Sequence, residues 1–540
     1  MSLGFGPGAA LLLALGAASS ASGFDESRYV GHLVLDRTTV VITEAVGELD
    51  VPWELAAAPD GWIWFTQLEG TVHRYDPESG EVQELLAVPD VFHRKSLGLL
   101  GMALHPDFVR KPFVLLHHTY RELAPDRTEI LRSRLVRYRF EGGALRDPAV
   151  LLDAIPGATY HNGSRIVVTA DDHVFLSTGD AGDPDGAQDP AALHGKVLRL
   201  GIDGRVPDGN PFADSPVWSR GHRNVQGLVL TRAGALYASE HGPNNDDEIN
   251  RIEPGRNYGW PLVEGFVDTE WERRRSAGTG IAEPLFAWTP TVAAAGLEHY
   301  ESPAIPEWRG SLLVANLKGR ALRVLQLDAA GGSVATERIY FQKRFGRLRD
   351  VCATPAGDVY VSTSNRDWHP RFQPRLYDSL PEGPDRILRL RAAGPAELAQ
   401  LARLPEPAEI REDPQAMELL SEDWSYPATG TVVSEGERLY TIHCASCHLP
   451  NGAGVPGLVP PLTGTDWVAG DKSRLIQVVL GGLSVPIEVG GERYDQEMPG
   501  YATRSDEEIA AILTFVRDRF GDGADAVIAG EVYEERKVAP

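Results

Sequence analysis

Six short strings, each with arginine in its third position, recur through the first 390 residues of this chain and constrain its fold more than any other feature. Each reads apolar, any residue, arginine, apolar, and most follow a strand-like run closed by a Gly or Asp turn. The strings are Val72–Tyr75, Leu135–Tyr138, Val197–Leu200, Ile249–Ile252, Ala321–Val324 and Ile387–Leu390. Such strings also arise by chance, but these arginines stand 52 to 72 residues apart. A period of about sixty residues matches a four-stranded blade with generous loops, so a mainly β fold, a six-bladed β-propeller, is predicted.

The second feature is the run Cys444-Ala-Ser-Cys447-His448. This is the C-x-x-C-H pattern that attaches a c-type haem through two cysteines and ligates its iron through the histidine. The residues after His448 include no further histidine and one methionine, Met498, so a histidine–methionine pair is the predicted axial set. The alternatives are a chance match, a redox dithiol and half of a zinc site. No second cysteine pair completes a zinc site and no βαβ pattern surrounds the motif, so haem attachment is favoured.

The sequence around this motif is typical of a small helical domain. Ser434–Glu437 and Ser505–Glu508 have the pattern of capping boxes that open helices. After the second box, apolar residues from Ile509 to Phe520 recur at helical spacing. Together with Asn451–Gly454 and Pro460–Leu462, these features resemble class I cytochrome c over roughly residues 430–523. A small all-α cytochrome c domain is therefore expected.

The predicted order of segments is a signal peptide, a propeller, a linker, a haem domain and a C-terminal tail. The signal peptide is expected at residues 1–23, the propeller at 24–391 and the linker at 392–428. The haem domain is expected at 429–523 and the tail at 524–540. The signal rests on the apolar stretch Ala9–Leu15 with small residues behind it, which is too short to span a bilayer. Residues 392–428 lack strand alternation and carry Pro and charge, as a linker does. Because covalent haem attachment also requires export, a periplasmic or secreted protein is expected.

The charge of the chain bears on its partners. A formal net charge of −24 argues against nucleic acid and anionic membrane surfaces, since both bind basic protein surface. It favours a basic redox partner. No stretch beyond the signal is apolar enough to cross a membrane, so no stable membrane insertion is expected.

Four polar clusters interrupt the strand-like runs, and each by itself is an ordinary solvated turn. They are Tyr160–Arg165, Gly221–Asn224, Glu240–Asn250 and Arg347–Asp350. A propeller gathers loops from all its blades around a central mouth, so an active site there draws on residues scattered along the chain. Since a haem domain needs an electron source, these loops are candidates to supply a base and an anion clamp.

The propeller segment resembles the soluble quinoprotein glucose/sorbosone dehydrogenases over roughly residues 45–391. The strings that carry the resemblance are Gly98–Gly101 with His105–Phe108, Gly195–Leu200, Gly221–Asn224, Gly242–Asn244 with Asp246–Asn250, and Asn257–Trp260. Members of that family are six-bladed propellers that use pyrroloquinoline quinone (PQQ) and calcium. The resemblance therefore implies PQQ and calcium for this chain, beside haem c.

The resemblance also implies catalytic roles. His161 would be the general base that removes the proton of the substrate hydroxyl, with Asp180 holding its imidazolium. A carboxylate partner is expected to raise the basicity of that imidazole. Arg223 would stabilise the charge that develops on the quinone oxygen.

Further residues would hold the cofactors. PQQ is a trianion, and the residues expected to bind its quinone and carboxylates are Asn224, Thr291, Lys318, Arg347 and Arg349. Gly242 and Pro243 would offer backbone carbonyls to a calcium ion that bridges to PQQ, which suits a hard cation.

Three positions depart from the family pattern. The soluble glucose dehydrogenases have glutamine where Ser96 stands, aspartate at Tyr160 and tryptophan at Thr289. The first two line the sugar side and the third stacks on PQQ, with the neighbouring Trp288 a candidate to replace that stacking surface. The identity of the substrate therefore stays open.

The leading hypothesis is an exported quinohaemoprotein dehydrogenase. An aldose or related sugar would give a hydride to PQQ, and electrons would pass singly to the attached haem and then to a periplasmic acceptor, a cytochrome or an oxidase. One alternative, the eight-bladed quinoprotein alcohol dehydrogenases, has an adjacent cysteine pair, and no Cys-Cys dipeptide occurs here. The other alternative is a non-catalytic propeller that binds a sugar or a partner while the haem relays electrons.

Replacing the predicted second iron ligand gives the first test. Met498→Ala should abolish the methionine-to-iron charge-transfer band of the oxidised protein, because no other methionine follows His448. The measurement is the visible and near-infrared absorption spectrum of the purified haem protein. An unchanged band would reject Met498 as the ligand.

Overall fold

The computed structural model describes residues 23–537, except 126, 244, 373–379, 405–407, 411–433, 450, 484, 497, 499 and 503. The predicted signal peptide, apart from its last residue, and most of the predicted linker lie outside the described residues. So does Asn244 of the string Gly242–Asn244.

Antiparallel four-stranded sheets follow one another along the chain and form the blades of a propeller. Blades one to three consist of Pro52–Ala57, Ile63–Gln67, Thr71–Tyr75 and Val82–Ala87; Leu99–Leu104, Phe113–Leu123, Glu129–Glu141 and Ala144–Pro156; and Ile166–Val168, His173–Ser177, Lys196–Gly201 and Val217–Arg220. Blades four and five consist of Val225–Leu230, Leu236–Glu240, Asp247–Ile252 and Phe286–Trp288; and Ala294–Tyr300, Ser311–Asn316, Leu322–Leu327 and Val334–Tyr340.

Blade six closes the ring with both ends of the propeller segment. Its inner strands, Leu348–Ala353, Val359–Thr363 and Asp385–Ala392, are completed by the N-terminal strand Thr39–Leu49. Tyr29–Val34 extends this sheet outwards. Because an N-terminal strand pairs with C-terminal ones, the ring needs no covalent closure.

The six arginine strings mark one structural position. Each arginine lies in the third strand of its blade, so the six-bladed, mainly β prediction is confirmed. The guanidinium bonds a polar side chain of its own blade in several cases. Arg74 donates to Gln83 at 2.7 Å, and Arg389 donates to Asp358 at 2.7 Å. The repeat therefore marks an equivalent strand position in every blade, where several of the arginines bond a side chain of their own blade.

The second strand of each blade is buried on both faces, because a neighbouring blade covers each side. Such strands are continuous apolar runs without alternation, which is why they stand out in the sequence. Val359–Thr363 is buried throughout. The single propeller cysteine, Cys352, is a buried free thiol in the neighbouring first strand.

A buried charge cluster joins several blades near the propeller axis. Arg165, just before the first strand of blade three, contacts Glu54 of blade one at 2.6 Å and Asp350 of blade six at 2.8 Å. Its Nε donates to the carbonyl of Gln226 in blade four at 2.6 Å. Burial raises the pKa of Glu54 well above its ordinary value, although the Arg165 cation opposes this rise. One guanidinium thus holds the inner strands of three other blades.

The haem domain is a group of helices with one small hairpin. Its helices are Glu435–His443, Ala445–His448, Asp466–Ala469, Lys472–Gly481, Asp506–Phe520 and Ala529–Arg536. The Ser505 capping box is confirmed in both directions: Ser505 Oγ accepts from Glu508 N, and Glu508 accepts from Ser505 N. Ser434 also caps its helix by accepting from Glu437 N. The domain is helical as predicted, and its one hairpin, Ile487–Val489 with Glu492–Tyr494, was not predicted because three-residue strands are too short to show a period.

The segments predicted as linker and tail contain ordered elements. Pro395–Leu401 is a helix, and its Leu401 packs with Phe24 and Val41 of the propeller. Glu409–Ile410 pairs in parallel with Tyr29–Val34. In the predicted tail, Ala529–Arg536 packs on the helices Lys472–Gly481 and Asp506–Phe520 and buries Val532.

Shorter elements complete the described chain. They are the helices Glu270–Arg275 and His369–Phe372 and the 3-10 turns Glu26–Arg28 and Pro184–Ala187. Among the residues that the structure describes, no helix combines the length and apolar character needed to cross a bilayer.

The axial charge cluster should dominate propeller stability. Arg165→Met leaves two acidic groups buried without their cation, so the free energy of unfolding should fall by about 3–5 kcal/mol. The matched control is Arg110→Met, whose side chain is 82 % exposed and pairs with Asp107 at the surface. That change should cost less than about 1 kcal/mol. Denaturant unfolding followed by tryptophan fluorescence compares them, and equal stability of the two variants would contradict the role given to Arg165.

Candidate active site

The structure brings the loops predicted to bind the cofactor around one cavity of about 800 Å³ at the propeller mouth. The predicted residues that line it are His161, Arg223, Asn224, Gly242, Pro243, Thr291, Lys318, Arg347 and Arg349. They come from five different blades or the loops beside them. Asp180 lies behind His161 and reaches the cavity through it.

His161 is held by a chain of hydrogen bonds. Its Nδ1 lies 2.9 Å from Asp180 Oδ1, and Asp180 Oδ2 accepts from Trp260 Nε1 at 2.9 Å. Asp180 also accepts from the amide of Gly182 at 2.9 Å. With Nδ1 committed to the carboxylate, Nε2 is the ring nitrogen left for a substrate. Trp260 and Asp180 therefore orient the candidate base.

The protonation states of His161 and Asp180 depend on burial and on Arg223 as well as on their own contact. Burial and the nearby Arg223 cation lower the pKa of His161, and they outweigh the opposing effect of Asp180. Burial favours a raised pKa for Asp180, but His161 and Arg223 hold it below its ordinary value. The imidazole is thus neutral and the carboxylate charged near pH 7, the protonation states that a general base requires. Asp180 raises the basicity of His161 as expected, but burial and Arg223 have the larger effect, and neither was evident from the sequence.

A second group of residues at the cavity is strongly cationic. Arg347 and Arg349 both donate to Asp367 Oδ2, at 3.1 and 2.8 Å, so one carboxylate holds two guanidinium groups. Lys318 donates to Thr291 Oγ1 at 2.8 Å, and burial lowers the pKa of Lys318 to about 8. This positive excess inside a protein of net charge −24 needs an anion to balance it.

Several polar atoms beside the cavity fit an anionic group. Within the described residues, Arg223 Nε, Arg349 Nε and His241 Nε2 are buried with no hydrogen-bond partner. Buried donors without partners are costly, so they indicate a place where a ligand supplies acceptors. A planar cofactor with several carboxylates, such as PQQ, satisfies this donor set.

One of the two expected calcium ligands, the Gly242 carbonyl, already accepts a hydrogen bond. Gly242 and Pro243 line the cavity, but the Gly242 carbonyl accepts from Arg223 at 2.9 Å. Asp247, the neighbouring carboxylate, accepts from the amides of Gly242 and Val292. No group of three or more His, Cys, Asp or Glu side chains suited to a metal occurs in the described part of the chain. A cation at this loop would depend on backbone carbonyls and on the oxygens of a bound cofactor.

The haem motif has the geometry that iron ligation requires. His448 is buried, and its Nδ1 lies 3.0 Å from the carbonyl of Pro460, which leaves Nε2 for the iron. The backbone of Met498 pairs with Leu483 in both directions at 2.9 Å. Cys444 and Cys447 lie at the end of one helix and within the next. The residues present therefore fit a covalently attached haem.

Cys447 also lines the propeller cavity. With Ala445, Asp495 and Gln496, it forms a wall that the haem domain contributes to that cavity. Sequence reasoning gave no indication of this wall, because it depends on how the two domains meet.

The structure gives the positions of the residues that depart from the family pattern and of the neighbouring Trp288. Trp288 was a candidate to stack on the cofactor, but it packs in the core between blades four and five. Its Nε1 donates to Glu337 at 2.8 Å, so it is not a cavity residue and that suggestion was wrong. Thr289 donates to Asp246 at 2.6 Å. Ser96 lines the cavity and donates to the carbonyl of Thr159 at 2.8 Å.

Comparisons with known proteins agree with this geometry. A profile of the family described as Glucose / Sorbosone dehydrogenase matches residues 49–369. The chain belongs to the glucose/sorbosone dehydrogenase family. Quinoprotein glucose dehydrogenase B of Acinetobacter calcoaceticus is 30% identical over 407 residues, covering 59% of this chain and 84% of that protein. The PQQ-bound aldose sugar dehydrogenase of Streptomyces coelicolor superposes with a TM-score of 0.55 and 33% identity, covering 66% of this chain and 98% of that one.

This glucose/sorbosone dehydrogenase family member carries a cytochrome c domain, since a cytochrome c profile matches residues 433–519. Cytochrome c-552 of Thermus thermophilus is 42% identical over 93 residues, which are 16% of this chain and 70% of that protein. Both predicted resemblances are confirmed.

Sequence reasoning missed three cavity residues, His241, Gln226 and Asp367, and one residue behind the cavity, Trp260. His241 and Gln226 line the cavity, Asp367 holds the paired arginines, and Trp260 holds Asp180. His241 and Trp260 stand in strings that the sequence had already marked, so proximity to those motifs was the available signal. Gln226 and Asp367 carry no such signal, because their roles come from strands and loops that meet only in the fold.

The charge of Arg223 should control the titration of His161. Arg223→Gln removes a cation that lowers the pKa of His161, so that pKa should rise. Asp180→Asn should lower it further, because it removes the carboxylate that opposes this effect. NMR titration of the histidine ring protons measures both shifts without any turnover. A fall in the His161 pKa in Arg223→Gln would contradict this electrostatic account.

Proposed function

We propose that this protein is an exported, PQQ-dependent sugar dehydrogenase that passes electrons from a bound quinone to its own haem c. The substrate is an aldose or related sugar oxidised at C1, and the haem then serves a periplasmic acceptor. The relatives support this proposal, since their names describe a quinoprotein glucose dehydrogenase and a PQQ-bound aldose sugar dehydrogenase. The observation that carries it is the cavity in which His161, the cationic cluster and the haem-attaching Cys447 all meet.

In this proposal the side chains remove the hydroxyl proton and stabilise charge, and the cofactors accept the electrons. His161 Nε2 accepts the proton of the C1 hydroxyl, and Asp180 stabilises the imidazolium that forms. PQQ, when bound, supplies the two-electron acceptor for the C1 hydride, and haem c supplies a one-electron carrier. Arg223 lies beside His161 and stabilises negative charge that develops in the cavity. C1 begins at the aldehyde oxidation level as a hemiacetal, loses one hydride and the hydroxyl proton, and leaves at the carboxylic acid oxidation level, as a lactone.

The cationic and polar residues of the cavity bind the cofactor in this proposal. Arg347 and Arg349 are pre-oriented by Asp367, so little side-chain freedom is lost when they meet carboxylates. Lys318, Thr291 and Asn224 add further polar contacts. The carbonyls of Gly242 and Pro243 would hold a calcium ion, and the Gly242 carbonyl also accepts a hydrogen bond from Arg223.

The test is to load the purified haem protein with PQQ and calcium and to add a panel of aldoses and secondary alcohols. We expect aldoses to reduce the haem, which is followed by its absorption bands. If no substrate in the panel reduces the haem or a soluble dye, the dehydrogenase proposal fails. A non-catalytic binding propeller would give that result.

Removing the base separates the chemistry from the electron relay. His161→Ala should lower substrate-driven haem reduction by about 100-fold or more, which is the usual contribution of a positioned general base. A chemical reductant should still reduce the haem at the rate of the unchanged protein. The matched control is His173→Ala, a histidine on the outer part of blade three that pairs with Asp171 away from the cavity. Normal turnover by His161→Ala would reject the base assignment.

A further inference from the structure

The cavity is lined by residues of both domains, and the two sets differ in charge. The wall that binds the cofactor is built from propeller residues, with Arg347 and Arg349 at its centre. The haem domain contributes Ala445, Cys447, Asp495 and Gln496 to the lining of the same cavity. Asp495 and Gln496 follow the strand Glu492–Tyr494 and remain exposed to solvent in the two-domain structure.

The haem domain is held at this position by contacts of two kinds. Arg504 is 6% exposed and donates to Asp185 Oδ2 of the propeller at 2.7 Å, with Asp183 at 4.0 Å. On another side, Trp368 of the propeller packs on Val455 and Val459 beside Cys447. An ion pair between a buried arginine and exposed aspartates, together with an apolar contact, holds the domain at the cavity.

The loop that carries Asp495 and Gln496 is anchored within its own domain. Met498 pairs with Leu483, and Tyr501 donates its hydroxyl to the carbonyl of His443 at 2.7 Å. The Tyr501 amide donates to the carbonyl of Val479 at 2.8 Å. Side chains on this loop therefore have a defined place in the cavity wall.

Asp495 and Gln496 make no hydrogen bond or ion pair with other described residues. Other polar residues at the mouth are already engaged, since Ser96 donates to Thr159 and Arg94 pairs with Glu129 at 3.0 Å. A carboxylate and an amide with unused acceptors and donors match the vicinal hydroxyls of a sugar. They suit an anionic cofactor poorly, because a carboxylate repels it.

We infer that the haem domain forms part of the sugar-binding pocket, with Asp495 and Gln496 as residues that select and position the substrate. This inference rests on the proposed sugar dehydrogenase function. The sugar then binds between the two domains, with C1 at His161 and its distant hydroxyls at the haem domain. Substrate recognition and electron acceptance thus share one surface of the cytochrome.

The test compares point variants of the full-length protein loaded with PQQ and haem. Asp495→Ala and Gln496→Ala should each raise KM for the aldose that turns over fastest in the panel by about three- to tenfold, because each removes a hydrogen bond to a hydroxyl. kcat should change little, since His161 and Asp180 are untouched. Glu488→Ala is the matched control, an exposed carboxylate on the same hairpin that does not line the cavity.

Two readouts keep this result separate from the proposed function. A soluble dye that takes electrons directly from the reduced cofactor reports sugar oxidation without the haem. Calorimetric binding of the same aldose to the fully reduced protein, which cannot turn over, reports affinity alone. Turnover by the unchanged protein together with unaltered KM and affinity in both variants would overturn the inference and leave the proposed function intact. Loss of all sugar oxidation in the unchanged protein would instead reject the proposed function.

Domain docking gives a second, independent check. Arg504→Asp should raise KM as much as the two pocket variants, because it removes the ion pair that holds the haem domain over the cavity. In that background, Asp495→Ala should have no further effect, and the exchange Arg504→Asp with Asp185→Arg should restore KM. An unchanged KM in Arg504→Asp, with a normal haem spectrum, would also overturn the inference.

Discussion

The contact of Arg165 with Glu54 and Asp350 at the propeller axis is the constraint on which the active site depends. Arg165 stands four residues after His161, so the same short loop carries the axial cation and the candidate base. Its Nε holds the carbonyl of Gln226, whose side chain in turn bonds Asn224 and Arg349. The blade interior and the cofactor wall are therefore one connected polar network.

This network explains how an acidic protein maintains a cationic cavity. Three of the buried cations have fixed partners: Asp367 for Arg347 and Arg349, and Thr291 for Lys318. Fixed partners reduce the cost of burial and pre-orient the groups that face the cavity. The same burial keeps His161 neutral, so cation placement and base chemistry have a common physical origin.

Much of the fold and of the site could be predicted from particular residues. The arginine strings located the third strand of every blade, and the strings around His161, Arg223 and Gly242 located most of the cavity. The prediction that Trp288 stacks on the cofactor was wrong. Trp288 packs between two blades and bonds Glu337, which lies on a strand nearly fifty residues away and could not be identified from the local sequence. The ordered helix Pro395–Leu401 and the hairpin at Ile487 were missed, since short elements acquire their stability from tertiary packing.

The sequence by itself determined the six-bladed propeller, the haem attachment site and the identities of the candidate base and cofactor ligands. These features rest on local patterns: a repeated strand, a pentapeptide and motif loops that keep their residue order. Only the tertiary structure decided that His161 is neutral, that Asp367 couples two arginines, and that Asp495 and Gln496 of the haem domain line the propeller cavity. Burial and contacts between distant segments set these properties, and neither quantity is encoded in a local pattern.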